Sequence, residues 1–265
     1  MGEGKTRMNT GSDILVERLG DVAKVTLNRP EKLNALSREM ILSLPGVLAQ
    51  AVDGGARAIV ITGAGRAFSS GAALEPASGP PMDIGEVLDQ YNGLARALAD
   101  LPVPLVTAVN GAAAGGGASL ALAGDIILAA RSSYIMLAFS RIALVPDLGA
   151  TWLVARAVGR VRALEMALLG ERMPAEEAHR AGLVTRVVED DQLAPTAEQV
   201  AAQLAAMPTR TLGLIRRQVR AALESTFEAS LDLERDNQRL CGQTEDFKEG
   251  PTAFREKRHP NFVGR

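Results

Sequence analysis

The stretch VPLVTAVNGAAAGGGASLALAG, Val103 to Gly124, carries no charged side chain and is closed by Asp125. Its length and apolar character are those of a membrane-spanning helix. Its content is not: Pro104, Asn110 and five glycines lie inside it, and a helix in lipid has no water to satisfy an interrupted backbone. A buried strand over Leu105–Val109, a small-residue loop over Asn110–Gly117 and a buried helix over Ala118–Ala123 account for the same residues. That reading places the segment in the core of a water-soluble α/β protein.

The same order extends outward in both directions. Upstream, Ile14–Leu19 and Ala23–Asn28 flank Gly20-Asp21 as a hairpin. Ser37 caps a helix running to about Val52, with Pro45 signalling a kink or a late start. Ala58–Thr62 is a buried strand feeding the loop Gly63–Gly71. Residues Ala77–Asp83 are rich in Gly and Pro and read as mobile, before a helix over Ile84–Ala99. Downstream come strands Ile126–Ala130 and Tyr134–Met136, and helices Gly149–Val158 and Arg162–Leu169. A helix opened by Pro174 and ended at Gly182 leads to strand Leu183–Val188. Strands alternating with helices at this spacing imply an α/β core. Past Leu193 the pattern is helical only. The organisation expected is a polar arm over 1–13, a core over 14–192 and a helical region over 193–265.

Bulk properties set limits on function. The 265 residues are 47% hydrophobic and 23% charged, with a net charge of −2, so no basic face invites nucleic acid. Cys241 is the sole cysteine, which rules out an intramolecular disulfide framework. The arm lacks the apolar segment of a signal peptide, and a cytoplasmic protein without a membrane span is expected. No metal-ligand cluster, dinucleotide glycine fingerprint or Walker loop is present.

Two segments share one design, a buried strand running into a loop of glycine and alanine: Phe68-Ser69-Ser70-Gly71-Ala72-Ala73-Leu74 and Asn110–Leu120. Small residues leave backbone N–H groups unscreened, and a helix N-terminus presents free donors. Two donors from separate loops can hold a carbonyl oxygen as it becomes an oxyanion. Close packing of a loop on a neighbouring backbone explains either loop taken singly. Asp147 adds an acid. Among Ile142, Leu144, Val145 and Leu148 a carboxyl would have a raised pKa and could carry a proton between carbons. Capping the helix near Gly149 is its alternative role.

Taken together, these residues resemble the crotonase (enoyl-CoA hydratase/isomerase) family. The landmarks are Asn28-Arg29-Pro30-Glu31-Lys32-Leu33-Asn34-Ala35-Leu36, Ala67-Phe68 with Gly71-Ala72, Val109-Asn110-Gly111 with Gly115-Gly116-Gly117, and Asp125-Ile126. Val145 to Thr151, Ala181-Gly182-Leu183-Val184 and Phe254-Arg255-Glu256-Lys257-Arg258 complete the series. The resemblance implies a crotonase-like spiral of ββα turns with a C-terminal helical trimerisation region, assembled as a homotrimer or a dimer of trimers. It implies an acyl-CoA thioester substrate, no further cofactor, and an oxyanion site built from the amides of Ala72 and Gly116, with Gly115 beside them. Arg29, Lys32, Leu33 and Arg66 would meet the coenzyme A, and Phe254 and Lys257 would reach a neighbouring subunit's ligand. The acyl group would lie against Ile84–Leu98 and Leu137–Leu144.

The departures bear on the reaction. Hydratases of the family carry two glutamates where this chain has Ser119 and Phe139, and neither residue can hold and deprotonate a water as a carboxylate does. The segment after Pro146 is similar to that of ring-epoxide and oxepin isomerases, whose aspartate at the position of Asp147 handles the substrate proton. An isomerase using Asp147 is the expectation. A hydratase with an atypical water site at Ser119 or Glu75, and a catalytically silent acyl-CoA-binding protein, are the alternatives. Ala73 replaces the family's usual aspartate, which would loosen the first loop. His179 and His259 lie outside every motif.

Overall fold

A computed structural model describes residues 6–9, 13–73 and 83–265. Its backbone is a spiral in which the chain visits a long sheet, crosses to a short one and returns through a helix. The long sheet runs β1(Thr6–Asn9), β2(Ile14–Leu19), β3(Val22–Leu27), β4(Ala58–Gly63), β6(Leu105–Val109), β8(Ile126–Ala130) and β11(Arg186–Val188). From β3 onward the neighbours are parallel. The short sheet has the order β10(Met173–Pro174), β9(Tyr134–Met136), β7(Ala112–Ala114), β5(Ala67–Ser69). Each turn of the spiral therefore takes one strand from each sheet: β4 with β5, β6 with β7, β8 with β9.

Helices close the turns. They are α1(Arg38–Asp53), α2(Ile84–Ala99), α3(Gly116–Leu122), α4(Ala150–Leu169) and α5(Ala175–Arg180). Ser37 caps α1 through the Met40 N–H, and Pro45 is accommodated within it while Met40, Ile41, Leu44, Val47 and Leu48 stay buried. Burial of that face outweighs the one hydrogen bond that proline removes. Asp83 caps α2 by accepting from the Gly85 and Glu86 N–H groups. The two helices expected over 149–169 form one run broken at Gly159 (φ 75°, ψ 167°), a conformation open to glycine without strain.

Several boundaries differ from the sequence reading. β5 and β7 fall inside segments read as loops, because alanine carries no strand signal and pairing between the two segments supplies it. Helix α3 begins at Gly116, two residues before the expected start at Ala118. Thr6–Asn9, within the arm read as loose, pairs antiparallel with β2; an edge ladder is held by backbone bonds and needs no apolar pattern. The Gly- and Pro-rich segment read as mobile lies outside the described residues apart from Asp83.

The sheet buries both faces. On one, Val25, Leu27, Ile59, Ile61, Leu105 and Val109 pack with α1 to α4. On the other, Val22, Ala58, Val60, Val106, Ala108 and Leu128 meet Ala197, Val200 and Ala201 of α6(Leu193–Ala205). The helical region thus starts as part of the core. Beyond it follow α7(Thr209–Ala222), α8(Phe227–Cys241) and α9(Glu245–Glu256). Arg57 ties this end down through Thr209 Oγ1 and the carbonyls of Met207 and Phe262. No helix among the described residues is long and apolar enough to cross a membrane.

Candidate active site

The first loop is held by side chains that point away from it. Asn34 is fully buried, at φ 53°, a left-handed conformation asparagine tolerates better than most residues. Its Nδ2 donates to the carbonyls of Ala64 (2.8 Å) and Ala67 (2.7 Å), and its Oδ1 accepts from the Arg29 N–H (2.8 Å). The Ser69 hydroxyl donates to the Asn34 carbonyl and accepts from the Gly71 N–H. Next, Leu36 N–H donates to the Gly71 carbonyl (2.8 Å) and Ala73 N–H to the Leu36 carbonyl (2.9 Å). This parallel bridge uses the groups on either side of Ala72 and leaves the Ala72 N–H on the opposite side. The bridge engages Ala73 through its backbone, so the aspartate's absence does not release the loop as far as that residue.

The second loop turns at Gly115 (φ 52°, ψ −130°), whose N–H donates to the Met136 carbonyl (2.9 Å). Gly116 is then the first residue of α3, and first-turn N–H groups have no acceptor within their helix. The two loops are in close contact. A β-carbon on Gly117 would lie 2.3 Å from the Ser69 carbonyl oxygen, and one on Gly71 would lie 2.8 Å from that of Ala114 and 3.4 Å from the Gly116 nitrogen. Packing and donor exposure, posed as alternatives for these glycines, hold together: the tight approach of the backbones is what brings the amides side by side.

Asp147 completes the cup. A β-carbon on Gly116 would sit 3.5 Å from Leu148 Cδ1, 3.8 Å from Asp147 Oδ1 and 3.9 Å from the Ala72 nitrogen. One small volume is therefore bounded by the carboxylate and by both loops. The chain reaches this position through two successive left-handed residues, Leu148 (φ 50°) and Gly149 (φ 81°). For leucine that conformation costs about 1–2 kcal/mol, and burial of its side chain in the core opposes the cost. The Asp147 side chain does not cap α4: Gly149 is the N-cap, and the backbone carbonyl of Asp147 accepts from the Ala150 N–H. Its Oδ1 is buried without a hydrogen-bond partner. Burial raises the carboxyl from its ordinary 3.8 to about 6, against a smaller lowering by its own backbone N–H.

The source of that burial differs from the expectation. Ile142, Leu144 and Val145 are exposed, Val145 to 77%, because Ala143 at φ 58° turns the segment outward after the short turn Ala138–Ile142. Leu148 does face inward. Tyr91 of α2 is the residue the sequence reading missed. Burial raises its phenol pKa first, and the charge of Asp147 raises it further, which places it in the field of the carboxylate. Its signal was available in the apolar stripe Val87, Tyr91, Leu94, Leu98, where one member carries a hydroxyl.

Other candidates divide clearly. Ser119 is buried and its hydroxyl donates back to the Gly115 carbonyl at 3.4 Å. Phe139 is buried in the core. Arg29 is only 7% exposed; its guanidinium donates to the Ala35 carbonyl (3.0 Å) and pairs with Asp13 (3.4 Å). It is turned inward rather than presented to a phosphate. Lys32 and Arg66 are exposed, Leu33 half-buried, and Pro30 packs on Gly65 next to Arg66. Phe254 and Lys257 stand exposed at the end of α9. Glu75 lies outside the described residues. His179 binds the Val184 carbonyl through Nδ1 (2.9 Å).

Comparison with known proteins gives this arrangement a setting. Residues 17–265 match the family model described as enoyl-CoA hydratase/isomerase. The chain is 48% identical over 250 residues to the 1,2-epoxyphenylacetyl-CoA isomerase of Escherichia coli, covering 92% of this chain and 95% of that protein. It is 44% identical over 245 residues to a probable enoyl-CoA hydratase of Rhodobacter capsulatus, with the same coverage of both. Among solved structures, a putative enoyl-CoA hydratase from Streptomyces coelicolor superposes with a TM-score of 0.91 at 33% identity, covering 99% of this chain and 98% of that one. An enoyl-CoA hydratase from Bacillus anthracis gives 0.90 at 31% identity, covering 96% and 100%.

Proposed function

Because the chain belongs to the enoyl-CoA hydratase/isomerase family, we propose that it is an acyl-CoA isomerase in which Asp147 moves a proton between carbons of a thioester enolate. The observation that carries this reading is the buried, unpartnered Oδ1 of Asp147 facing the volume between the Ala72 and Gly116 amides. With a 3-enoyl thioester, the carboxylate takes a proton from C2 and the electron pair delocalises into the carbonyl. The two N–H groups hold the resulting oxyanion. The same proton returns to C4, leaving a 2-enoyl thioester and regenerating the carboxylate. A pKa near 6 suits a group that must both accept and return a proton close to neutrality. Coenzyme A arrives with the substrate; Lys32, Leu33 and Arg66 are the contacts this reading gives it, and Arg29 supports them by fixing the turn. Phe254 and Lys257 would act on a neighbouring copy's ligand in a trimer, which the exposed apolar residues Val219, Leu223, Phe227 and Phe247 support.

A hydratase with an atypical water site is the second reading, favoured by the name of the Rhodobacter capsulatus relative. The two separate in one experiment. Isomerisation of a 3-enoyl-CoA should proceed, and fall by roughly 10²–10⁴ in Asp147→Asn while acyl-CoA binding persists. Its kcat/KM should rise with pH through about 6, as the free carboxylate forms. Crotonyl-CoA should bind yet hydrate far below a typical turnover of about 10 s⁻¹. Rapid hydration by the wild-type protein, or full isomerisation by Asp147→Asn, overturns the proposal.

A further inference from the structure

Helix α2 brings a hydroxyl toward the cup. Tyr91, Ala95 and Ala99 follow one another at four-residue spacing, so they share a side of the helix. Ala95 and Ala99 line a cavity of about 370 Å³ together with Leu148 and Gly149, the two residues after Asp147. Arg216 joins the far ends of α2 and α3, binding the carbonyls of Leu98 and Leu101 and the carboxylate of Asp125. From that junction α3 leads back to Gly116, and α2 leads back to Tyr91, about 12 Å along its axis from Ala99. The Tyr91 ring is half-buried and packs on the core, and no hydrogen bond holds its hydroxyl among the described residues. Burial and then the charge of Asp147 raise the phenol above its ordinary 10, while Arg38 lowers it and Glu39 raises it. The hydroxyl therefore keeps its proton wherever Asp147 titrates.

We propose that Tyr91 is a positioning residue for Asp147: once an acyl-CoA has displaced water from the cup, its hydroxyl donates to Asp147 Oδ2 and leaves Oδ1 to carry the substrate proton. The inference rests on Asp147 being the proton carrier. A donor and a carboxylate that are both unpaired in the free protein are suited to pairing in the complex, where catalytic hydrogen bonds tighten and the loss of water strengthens them. The bond would fix the plane of the carboxylate, so that Oδ1 can serve both carbons, and would favour its ionised form. Charged groups on the neighbouring elements do not compete. Arg38 and Glu39 of α1 act on the phenol with opposite signs. Arg96, Asp125, Arg216, Arg220 and Glu224 line the cavity, and Arg156 of α4 stacks on Trp152. None of them shifts Asp147, which responds to burial and to its own N–H.

Separate pH profiles of kcat and kcat/KM on a 3-enoyl-CoA, for the wild type and Tyr91→Phe, test it. The kcat/KM limb reports the free enzyme and should stay at about 6 in both. The kcat limb reports the complex, and in Tyr91→Phe it should lie about one to two pH units above the wild-type limb. At pH 7, kcat should fall by about 10–100-fold with KM little changed, the effect of losing a hydrogen bond to a charged group. Added to Asp147→Asn, Tyr91→Phe should cost nothing further, because it acts through the carboxylate. Butanoyl-CoA, which has no alkene to move, gives a reading independent of turnover. On binding it at about pH 6.5, Tyr91→Phe should take up more protons than the wild type, measured by calorimetry in two buffers. A tyrosine that only packs would lower the urea midpoint and leave both limbs and the proton uptake unchanged, and that result overturns the proposal. So does a further loss of about tenfold or more in the double variant, which would put Tyr91 on the substrate itself. Failure of the isomerase reading looks different: there Asp147→Asn keeps full activity, which overturns both.

Discussion

The loops that carry the two amides and the turn that carries Asp147 converge on one spot, within 4 Å of where a β-carbon on Gly116 would stand, and are built in opposite ways. Around Ala72 and Gly116 nearly every neighbouring backbone group is spoken for: by Asn34, by the Ser69 hydroxyl, by the Leu36 bridge and by Met136. Around Asp147 a charged oxygen is buried with nothing to bind, next to a leucine held at positive φ. Donors that stabilise a developing charge work best when they cannot reorganise. An acid that must take and return a proton works best when neither state is locked by a partner. The fold thus concentrates rigidity in one half of the site and unfavourable energy in the other.

The largest expected effect lies in the rigid half. Gly117→Ala would put a methyl 2.3 Å from the Ser69 carbonyl oxygen, a backbone contact that no rotamer can relieve. A loss of about 3 kcal/mol or more is expected, read as a fall in the denaturation midpoint. Gly93 on α2 provides the contrast, with nothing within 4 Å of its β-carbon position and an ordinary φ. Gly93→Ala should stabilise by about 0.5–1 kcal/mol. Equal tolerance at both glycines would remove the claim that the loops are held by contact.

A smaller effect is expected at Asn34. Alanine there would strip the Asn34 bonds from the Ala64 carbonyl and the Arg29 N–H, at about 1–3 kcal/mol for each group left unsatisfied, and leave the Ala67 carbonyl with only Asn110 Nδ2 at 3.2 Å. Relaxation would bring the total to about 2–4 kcal/mol. Asn34→Gly separates the causes, since glycine accepts φ 53° freely. If the side chain is what matters, both variants lose stability together by urea unfolding. Recovery in the glycine variant alone would assign the effect to backbone strain.

Legibility in the sequence follows the same division. Strands Leu105–Val109 and Ile126–Ala130 and helix Ile84–Ala99 were readable to the residue, because each has an apolar pattern and a capping or breaking residue at its ends. The short sheet was not: Ala112–Ala114 pairs only because Ala67 and Tyr134 are brought beside it, and tertiary pairing leaves no trace in alanine. The start of α3 at Gly116 was hidden for a related reason, since glycine's low helix propensity argued for a later start. The approach to Ser69 overrides it. At the candidate site, the two small-residue loops and Asp147 were legible as residue types in order along the chain. What could not be read was direction: Arg29 turned inward, Val145 turned outward, and Tyr91 brought within the field of Asp147 from a helix more than fifty residues away.

A smaller effect than those at Gly117 and Asn34 comes from the other half of the site and, unlike them, is stabilising. An unfolded carboxyl titrates near 3.8 and Asp147 in the fold near 6. Below 3.8 both forms are protonated and the residue favours neither state. Between the two values the folded protein keeps the proton that the unfolded chain has released, so its stability declines as pH rises. Above 6 the native state carries the full cost of an ionised carboxylate in a partly buried place. The shift corresponds to roughly 3 kcal/mol before screening, and the side chain's partial exposure reduces this to about 1–2 kcal/mol. Asp147→Asn, which cannot ionise, should therefore be more stable than the wild type by about that amount at pH 8 and indistinguishable from it near pH 3.5. Thermal melts at the two pH values measure the difference. A variant that melts lower at pH 8 would mean that the carboxylate has a partner in solution, and the contrast between loops whose neighbouring groups are bonded and a carboxylate oxygen without a partner would fail.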